Sequence, residues 1–319
     1  MHRRIWTWAL AALAVGLAVP VAAEDAAPAD PIVPPPAAMV ADGVPPIAQS
    51  LVADTRPYLE YRTAGFVGWH PVDRSMLITT RFANVGQLHR VAAPGSARRQ
   101  VTFEEEPIFS GSWSPDGEVL LLEKDAGGNE VSQIYALESG RLTLLTDGKS
   151  RHALGPFSDD GKLVAYGSNM RTGVYNDIYV MDPRTPGSAR MVLSTDSGGW
   201  AAIDFAPNGR DLLVFNYISV TDSQLHIINV ETGAIRQVTR DATPVAYGNL
   251  QFAPDGRLWV SSDKDSDVQR LGLLDTETGM FTPMIDGGRW DISSFDIAKD
   301  GKTIAYVVNE AGFSRLYLY

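Results

Sequence analysis

The chain has 319 residues, of which 45% are hydrophobic and 20% are charged, the composition of a globular protein able to bury a sizeable core. Its formal net charge of −11 argues against a nucleic-acid partner, because phosphate binding needs clustered lysine and arginine. The sequence contains no cysteine, so its stability must come from packing without disulfides.

The first 23 residues have the pattern of a secretory signal peptide. A basic start at His2–Arg4 precedes an apolar run from Ile5 to Val19, and small residues follow at Val21–Ala23. A retained membrane anchor is the alternative, but the run is shorter than the roughly 20 residues a spanning helix needs. We therefore expect cleavage after Ala23, no stable membrane span, and a periplasmic or secreted protein.

Residues 24–55 are rich in proline and alanine, including Pro34–Pro36 and Pro45–Pro46. Such a segment cannot form a core of its own, and it predicts an extended or disordered linker. One short helix is expected over Ile47–Ala53. The folded domain is then predicted to cover residues 56–319.

An apolar, usually aromatic residue followed by a polar turn recurs six times, at intervals of 44 to 48 residues. Each turn is followed by a β-rich run, a polar loop, a second β-rich run and another turn, which predicts four short strands per repeat. The six turns are Trp69–Asp73, Trp113–Gly117, Phe157–Gly161, Phe205–Gly209, Phe252–Gly256 and Ile297–Gly301.

These repeats predict an all-β fold, a β-propeller of about six four-stranded blades that start near residues 64, 107, 152, 199, 246 and 291. Asp-Gly and Asn-Gly pairs tolerate positive φ and close tight hairpins. Radial packing of such sheets buries their faces, and the aromatic residue before each turn is expected to pack between neighbouring blades. A parallel β-helix is the main rival, but its repeats are shorter and have no hairpin turns.

The sixth repeat stops early. Its last residues, Ser314–Tyr319, correspond to Asp177–Met181 in the third repeat, so the last blade is predicted to be incomplete. A truncated reading frame or fragment is favoured over a complete six-bladed ring, because chain termini are usually polar and loosely held.

The turn motif and the β-rich run Ile178–Asp182 resemble the WD40-like repeats called PD40. These repeats are found in the Tol–Pal protein TolB and in the propellers of prolyl-oligopeptidase-family serine peptidases. The resemblance covers about residues 64–319. The segment Arg56–Arg62, which leads into Gly68–Pro71, looks like the start of the propeller in secreted peptidases of that family. TolB-like proteins carry an α/β domain before the propeller, whereas here only a linker precedes it.

The resemblance to the peptidases implies a non-catalytic propeller that controls peptide access to an α/β-hydrolase domain. No Gly-x-Ser-x-Gly nucleophile elbow occurs in the sequence, so this chain is expected to have no catalytic residues of its own. The parent protein would be a serine peptidase. The alternative is a TolB-like periplasmic propeller that binds a protein partner.

Glu104 and Glu105 are the candidate substrate-binding residues. They belong to the acidic run Glu104–Glu106, and the resemblance to dipeptidyl peptidases implies that a glutamate pair holds the amino terminus of a peptide. A solvated loop is the alternative reading of this run. No metal or cofactor is expected, because the histidines are scattered and Asp263–Asp267 lacks the glycine and glutamate of a calcium loop.

Overall fold

The computed structural model describes residues 30–319, so the predicted signal peptide lies outside the described residues. The chain divides into two compact units, with the boundary between Tyr61 and Arg62. In the first unit, strand β1 (Ile32–Val33) pairs with β2 (Ile47–Ala48), and helix α1 (Gln49–Leu59) follows. The helix thus begins just after Ile47 and continues beyond the predicted limit at Ala53.

The second unit contains six antiparallel sheets, the blades, numbered here in chain order. Blade 1 consists of β3 (Gly65–Trp69), β4 (Met76–Thr80), β5 (Gln87–Val91) and β6 (Arg98–Gln100). Blade 2 consists of β7 (Gly111–Trp113), β8 (Val119–Lys124), β9 (Gln133–Glu138) and β10 (Arg141–Leu144). Blade 3 consists of β11 (His152–Phe157), β12 (Val164–Ser168), β13 (Asp177–Met181) and β14 (Arg190–Leu193).

The remaining three blades repeat the same order. Blade 4 consists of β15 (Trp200–Phe205), β16 (Asp211–Ser219), β17 (Asp222–Asn229) and β18 (Ile235–Gln237). Blade 5 consists of β19 (Tyr247–Phe252), β20 (Leu258–Ser262), β21 (Arg270–Leu274) and β22 (Phe281–Ile285). Blade 6 has three strands, β23 (Ile292–Ile297), β24 (Ile304–Glu310) and β25 (Phe313–Leu318). The prediction of an all-β propeller with an incomplete sixth blade is therefore confirmed.

The core lies between the blades. Five buried clusters join blade 1 to 2, 2 to 3, 3 to 4, 4 to 5 and 5 to 6. Strand β8 shows why its sequence is apolar without alternation: Leu120 and Leu122 pack toward blade 1, whereas Val119 and Leu121 pack toward blade 3. Within residues 62–319, no such cluster joins blade 6 to blade 1.

The aromatic residue before the turn follows this arrangement. Phe205 is fully buried among residues of blades 3 and 4, as predicted for these positions. Trp69 is the exception: it is 58% exposed, because no buried cluster among the described residues covers that side of blade 1.

The turns themselves are held by side chains. In blade 2, the Ser114 hydroxyl donates to the Asp116 carboxylate and accepts the Val119 N–H at 3.0 Å. In blade 1, His70 takes the serine's place: its Nδ1 accepts the Asp73 N–H at 3.3 Å. Its Nε2 lies 3.1 Å from the carbonyl oxygen of Gly117 in blade 2, so His70 links the turns of two neighbouring blades.

Candidate functional site

The first strands of blades 2 to 6 end around a cavity of about 560 Å³. Blades 2 to 6 all contribute residues from the end of their first strand or from the turn that follows. Because five sheets contribute the same element, the cavity lies on the axis of the propeller. We call it the axial cavity.

The repeat turn determines the chemistry of this cavity. Pro115, Pro207 and Pro254 occupy the same turn position in blades 2, 4 and 5 and line the cavity with apolar rings. In blades 3 and 6 that position is taken by Asp159 and Lys299, both exposed. The repeat thus places two charged groups in an otherwise apolar ring.

Asp204 is the most perturbed carboxyl group in the cavity. It precedes Phe205 at the end of β15, and its Oδ2 accepts the N–H of Phe252 in the next blade at 2.8 Å. Burial raises its pKa to about 6, with a further upward contribution from the Asp159 carboxylate. Asp204 therefore changes charge near neutral pH, a property that is frequent at functional sites.

The same position joins the following blades. Gln251 precedes Phe252, and its Oε1 accepts the N–H of Ile297 at 3.2 Å. Its amide donates to Asp296, which precedes Ile297 and is exposed. Sequence analysis did not identify Asp204, Gln251 or Asp296. The pattern that could have identified them is a polar residue directly before the repeat's apolar turn residue in three successive repeats.

Glu104 and Glu105 lie in the loop between blades 1 and 2, before β7, whereas the axial cavity lies around the turns that follow the first strands. The loop backbone is held by Gln87, whose Nε2 donates to the carbonyl oxygens of Glu104 and Glu106, each at 3.0 Å. Gln87 Oε1 accepts the Glu104 N–H at 3.1 Å. The loop is therefore anchored at its backbone.

The three carboxylates of this loop differ in their surroundings. Glu104 forms an ion pair with Lys124, whose Nζ lies 2.6 Å from Oε2. Glu106 accepts the N–H of Gly127 at 2.7 Å. Glu105 is exposed between these two residues, near the exposed rings of Phe103 and Phe109 in sequence. The structure thus leaves Glu105 as the carboxylate most available to a ligand, while the charge of Glu104 is already compensated.

The aspartate-rich loop of blade 5 has a structural role. Asp263 Oδ1 accepts the Ala246 N–H at 2.9 Å, and Lys264 lies 2.7 Å from Asp241. Among residues 30–319, no group of three or more histidine, aspartate or glutamate side chains is arranged to hold a metal ion. In the same part of the chain, no helix is long and apolar enough to cross a membrane.

The chain is similar in sequence to two kinds of known protein. No model of a known protein family matches the chain. The chain is 25% identical to the Tol–Pal system protein TolB of Francisella tularensis over 223 residues, which is 66% of this chain and 48% of TolB. It is 32% identical to dipeptidyl-peptidase 5 of Porphyromonas gingivalis over 141 residues, which is 40% of this chain and 20% of the peptidase.

Among solved structures, a prolyl endopeptidase matches with a TM-score of 0.69 at 11% identity, over 85% of this chain and 43% of that protein. At an identity this low, the structural match shows a shared fold and no more. The chain spans about half the length of the TolB proteins that it matches. It is thus a propeller similar in sequence to TolB and to dipeptidyl-peptidase 5, and similar in fold to the propeller part of prolyl endopeptidases.

Proposed function

We propose that this chain is a non-catalytic propeller that holds a peptide segment of another molecule in its axial cavity, after export to the periplasm or beyond. The observation that carries the proposal is the position of Asp204, a carboxyl group that ionises near pH 6 inside a cavity lined by five blades. The cavity volume of about 560 Å³ lies within the range of small-ligand sites.

The chemistry of the cavity favours a cationic ligand. The carboxylates of Asp159 and Asp204 attract an ammonium or guanidinium group, and the proline rings offer apolar contact to the adjoining side chain. Lys299, which also lines the cavity, carries the opposite charge. Its ammonium group can bind a carbonyl oxygen or carboxylate of the same ligand. An extended peptide with a basic residue or a free amino terminus satisfies all three groups.

Binding of labelled peptides to the purified protein, followed by fluorescence anisotropy, tests this proposal. A lysine-containing peptide should bind more tightly at pH 7.5 than at pH 5, because Asp204 becomes ionised across that range. D204N should weaken binding about 10-fold and remove most of the pH dependence. E231Q, which removes an exposed carboxylate from an outer turn of blade 4, should bind like the wild type. Equal binding by D204N and the wild type would contradict the proposal.

In the first setting that we propose, the propeller controls peptide access to a hydrolase domain, and Glu104 and Glu105 hold the amino terminus of the peptide. The fold likeness to a prolyl endopeptidase and the sequence match to a dipeptidyl-peptidase support this setting. Because Glu104 is paired with Lys124, Glu105 supplies the larger part of the attraction. E105Q should therefore weaken binding of a peptide with a free amino terminus more than that of its acetylated form.

A second candidate is a TolB-like module that binds a protein partner, and the larger share of the chain that matches TolB favours it. Cross-linking in an envelope extract would identify the partner, and titration of the two purified proteins would then measure a 1:1 complex. In both settings the chain itself is non-catalytic. If the purified protein hydrolyses a chromogenic peptide and a serine-reactive phosphonate blocks that hydrolysis, this part of the proposal is refuted.

A further inference from the structure

A second cavity adjoins the axial cavity between blades 4 and 5. Its volume is about 280 Å³, and Pro207, Phe252 and Pro254 line both cavities. From these residues it extends outward to Arg236 on β18 and to Thr276 in the turn after β21. We call it the radial cleft. Blades 4 and 5 each have four strands and a packed neighbour on both sides, so the cleft lies between two complete blades.

The inner end of this junction is open, unlike that between blades 2 and 3. A Cβ on Gly161 of blade 3 would lie 3.2 Å from the Pro115 ring of blade 2, so the turns of those two blades are in contact. The corresponding Gly256 of blade 5 has open space around it, although blade 4 carries Pro207 at the position of Pro115. The radial cleft is therefore a local gap between the turns, and it connects the axis with the outer strands.

The junction between blades 3 and 4 shows how the same space is filled elsewhere in the molecule. Three apolar side chains there pack in one cluster and are at most 2% exposed: Val180, Phe205 and Val230. The residues at the same repeat positions between blades 4 and 5 are Ile227, Phe252 and Thr276. All three line the radial cleft, where Ile227 is 8% and Phe252 is 9% exposed. The repeat thus has an apolar floor here that its own side chains leave partly uncovered.

The charged groups that line the cleft are already paired. Arg236 of blade 4 donates to the Glu277 carboxylate of blade 5 at 3.0 Å. Asp255 accepts the Nε–H of Arg257 at 2.8 Å, and the carboxylate of Asp211 accepts two amide N–H groups from neighbouring side chains. Because these charges and hydrogen bonds are satisfied within the protein, the apolar floor is the part of the cleft that offers a ligand new contacts.

We propose that the radial cleft binds a large apolar side chain of the peptide whose cationic group lies in the axial cavity. This inference rests on the proposed function and narrows its ligand to peptides in which an apolar residue neighbours the basic residue. Pro207 and Pro254 line both cavities, so one extended peptide can occupy both. A cavity of about 150 Å³ holds a benzene ring, so the cleft has room for a phenylalanine side chain.

Two labelled peptides with acetylated amino termini test the inference by fluorescence anisotropy: Gly-Phe-Lys-Phe-Gly and Gly-Ala-Lys-Ala-Gly. Phenylalanine on both sides of the lysine serves either direction of the chain. The phenylalanine peptide should bind about 10-fold more tightly, because its ring is buried against the apolar floor. Equal binding of the two peptides, weakened alike by D204N, would overturn this inference and leave the proposed function standing. Binding of neither peptide would overturn both.

A third peptide, Gly-Lys-Lys-Lys-Gly, separates an apolar from a cationic occupant. If it binds more tightly than the phenylalanine peptide, the cleft takes a second cation and the inference is wrong. Weaker binding than that of the phenylalanine peptide supports an apolar occupant.

A variant that fills the cleft locates the site. T276W adds a large ring to the cleft and keeps the carbonyl oxygen to which Arg236 donates. It should therefore bind the phenylalanine and alanine peptides equally. The control is A97W, which adds the same side chain at an exposed position in the corresponding turn of blade 1 and should keep the 10-fold preference. A preference that T276W retains would overturn the inference.

Photo-cross-linking of the wild-type protein gives a second readout, which stands even if T276W fails to fold. Benzoylphenylalanine replaces both phenylalanines of the probe, and the attachment sites are mapped by mass spectrometry. Cross-links within residues 275–279, the turn after β21, are expected, because Thr276 and Glu277 line the cleft. Cross-linking that leaves this turn unlabelled would overturn the inference.

Discussion

The hydroxyl oxygen of Thr102 accepts the backbone N–H of Leu88 at 2.9 Å, and so closes blade 1 where its fourth strand ends. Both residues are buried. T102V keeps the shape of the side chain and leaves that N–H without a partner, so it should lower the free energy of unfolding by about 1–2 kcal/mol. Urea denaturation of the variant measures this. T303V, which changes an exposed threonine, is the control and should match the wild type.

Gly117 is expected to tolerate no side chain, for two separable reasons. Its φ of +75° is unfavourable for other residues, and an added Cβ would lie 2.5 Å from the His70 ring. Gly209 has a similar φ of +65° and open space around it. G209A should therefore cost about 1 kcal/mol and G117A at least about 2 kcal/mol.

The double variant H70A/G117A isolates the contact between blades. If the His70 ring causes the extra loss, the effect of G117A should be smaller in the H70A background than in the wild type. Additive effects in the thermal unfolding of the four proteins would show that backbone strain alone explains G117A.

The fold could be predicted from the sequence because its turns repeat. A turn such as Trp113–Gly117 is a local signal, and six of them at regular intervals allow few architectures. The exposure of Trp69 could not be predicted in the same way, because it depends on which surfaces of blades 1 and 6 are covered.

The candidate site was less accessible to sequence reasoning. Glu104 and Glu105 stand out as charges, but the partner of Glu104 is Lys124, which comes from the second strand of the next blade. The pKa of Asp204 depends on burial and on Asp159, 45 residues earlier in the chain. Such contacts arise from the radial packing of repeats, which a local pattern does not specify.

Arg171 is predicted to stabilise blade 3 in a pH-dependent way. Asp177 is buried; burial raises the pKa of its carboxyl, but hydrogen bonds from Arg171 and from the Thr195 N–H outweigh this and lower the pKa below its usual value. The resulting stabilisation is present above the unfolded-state pKa and is lost as the pH falls through the folded-state pKa. R171M should thus destabilise the protein at pH 7, with a difference that shrinks toward pH 3.

The control for Arg171 is an exposed pair of the same kind. Lys162 lies 2.9 Å from Asp160, and both side chains are at least half exposed. K162M should change the melting temperature little at either pH. A loss as large as that of R171M would show that the burial of Asp177 is not the cause.

Asp204 is predicted to have the opposite pH dependence. Its folded-state pKa of about 6 lies above the reference value of 3.8, so between these values the folded protein holds a proton that the unfolded chain has lost. The contribution of Asp204 to stability therefore declines as the pH rises through that window. D204N keeps an oxygen that can accept the Phe252 N–H and cannot ionise. Relative to the wild type, its free energy of unfolding should increase by about 2 kcal/mol between pH 4 and pH 7.

Urea denaturation of D204N and the wild type at several pH values measures this difference directly. D255N is a suitable comparison, because hydrogen bonds from Arg257 lower the pKa of the exposed Asp255. Its difference from the wild type should have the opposite sign and be small. A flat difference for D204N across pH 4 to 7 would mean that Asp204 has an ordinary pKa. The pH dependence expected for peptide binding in the axial cavity would then lose its physical cause.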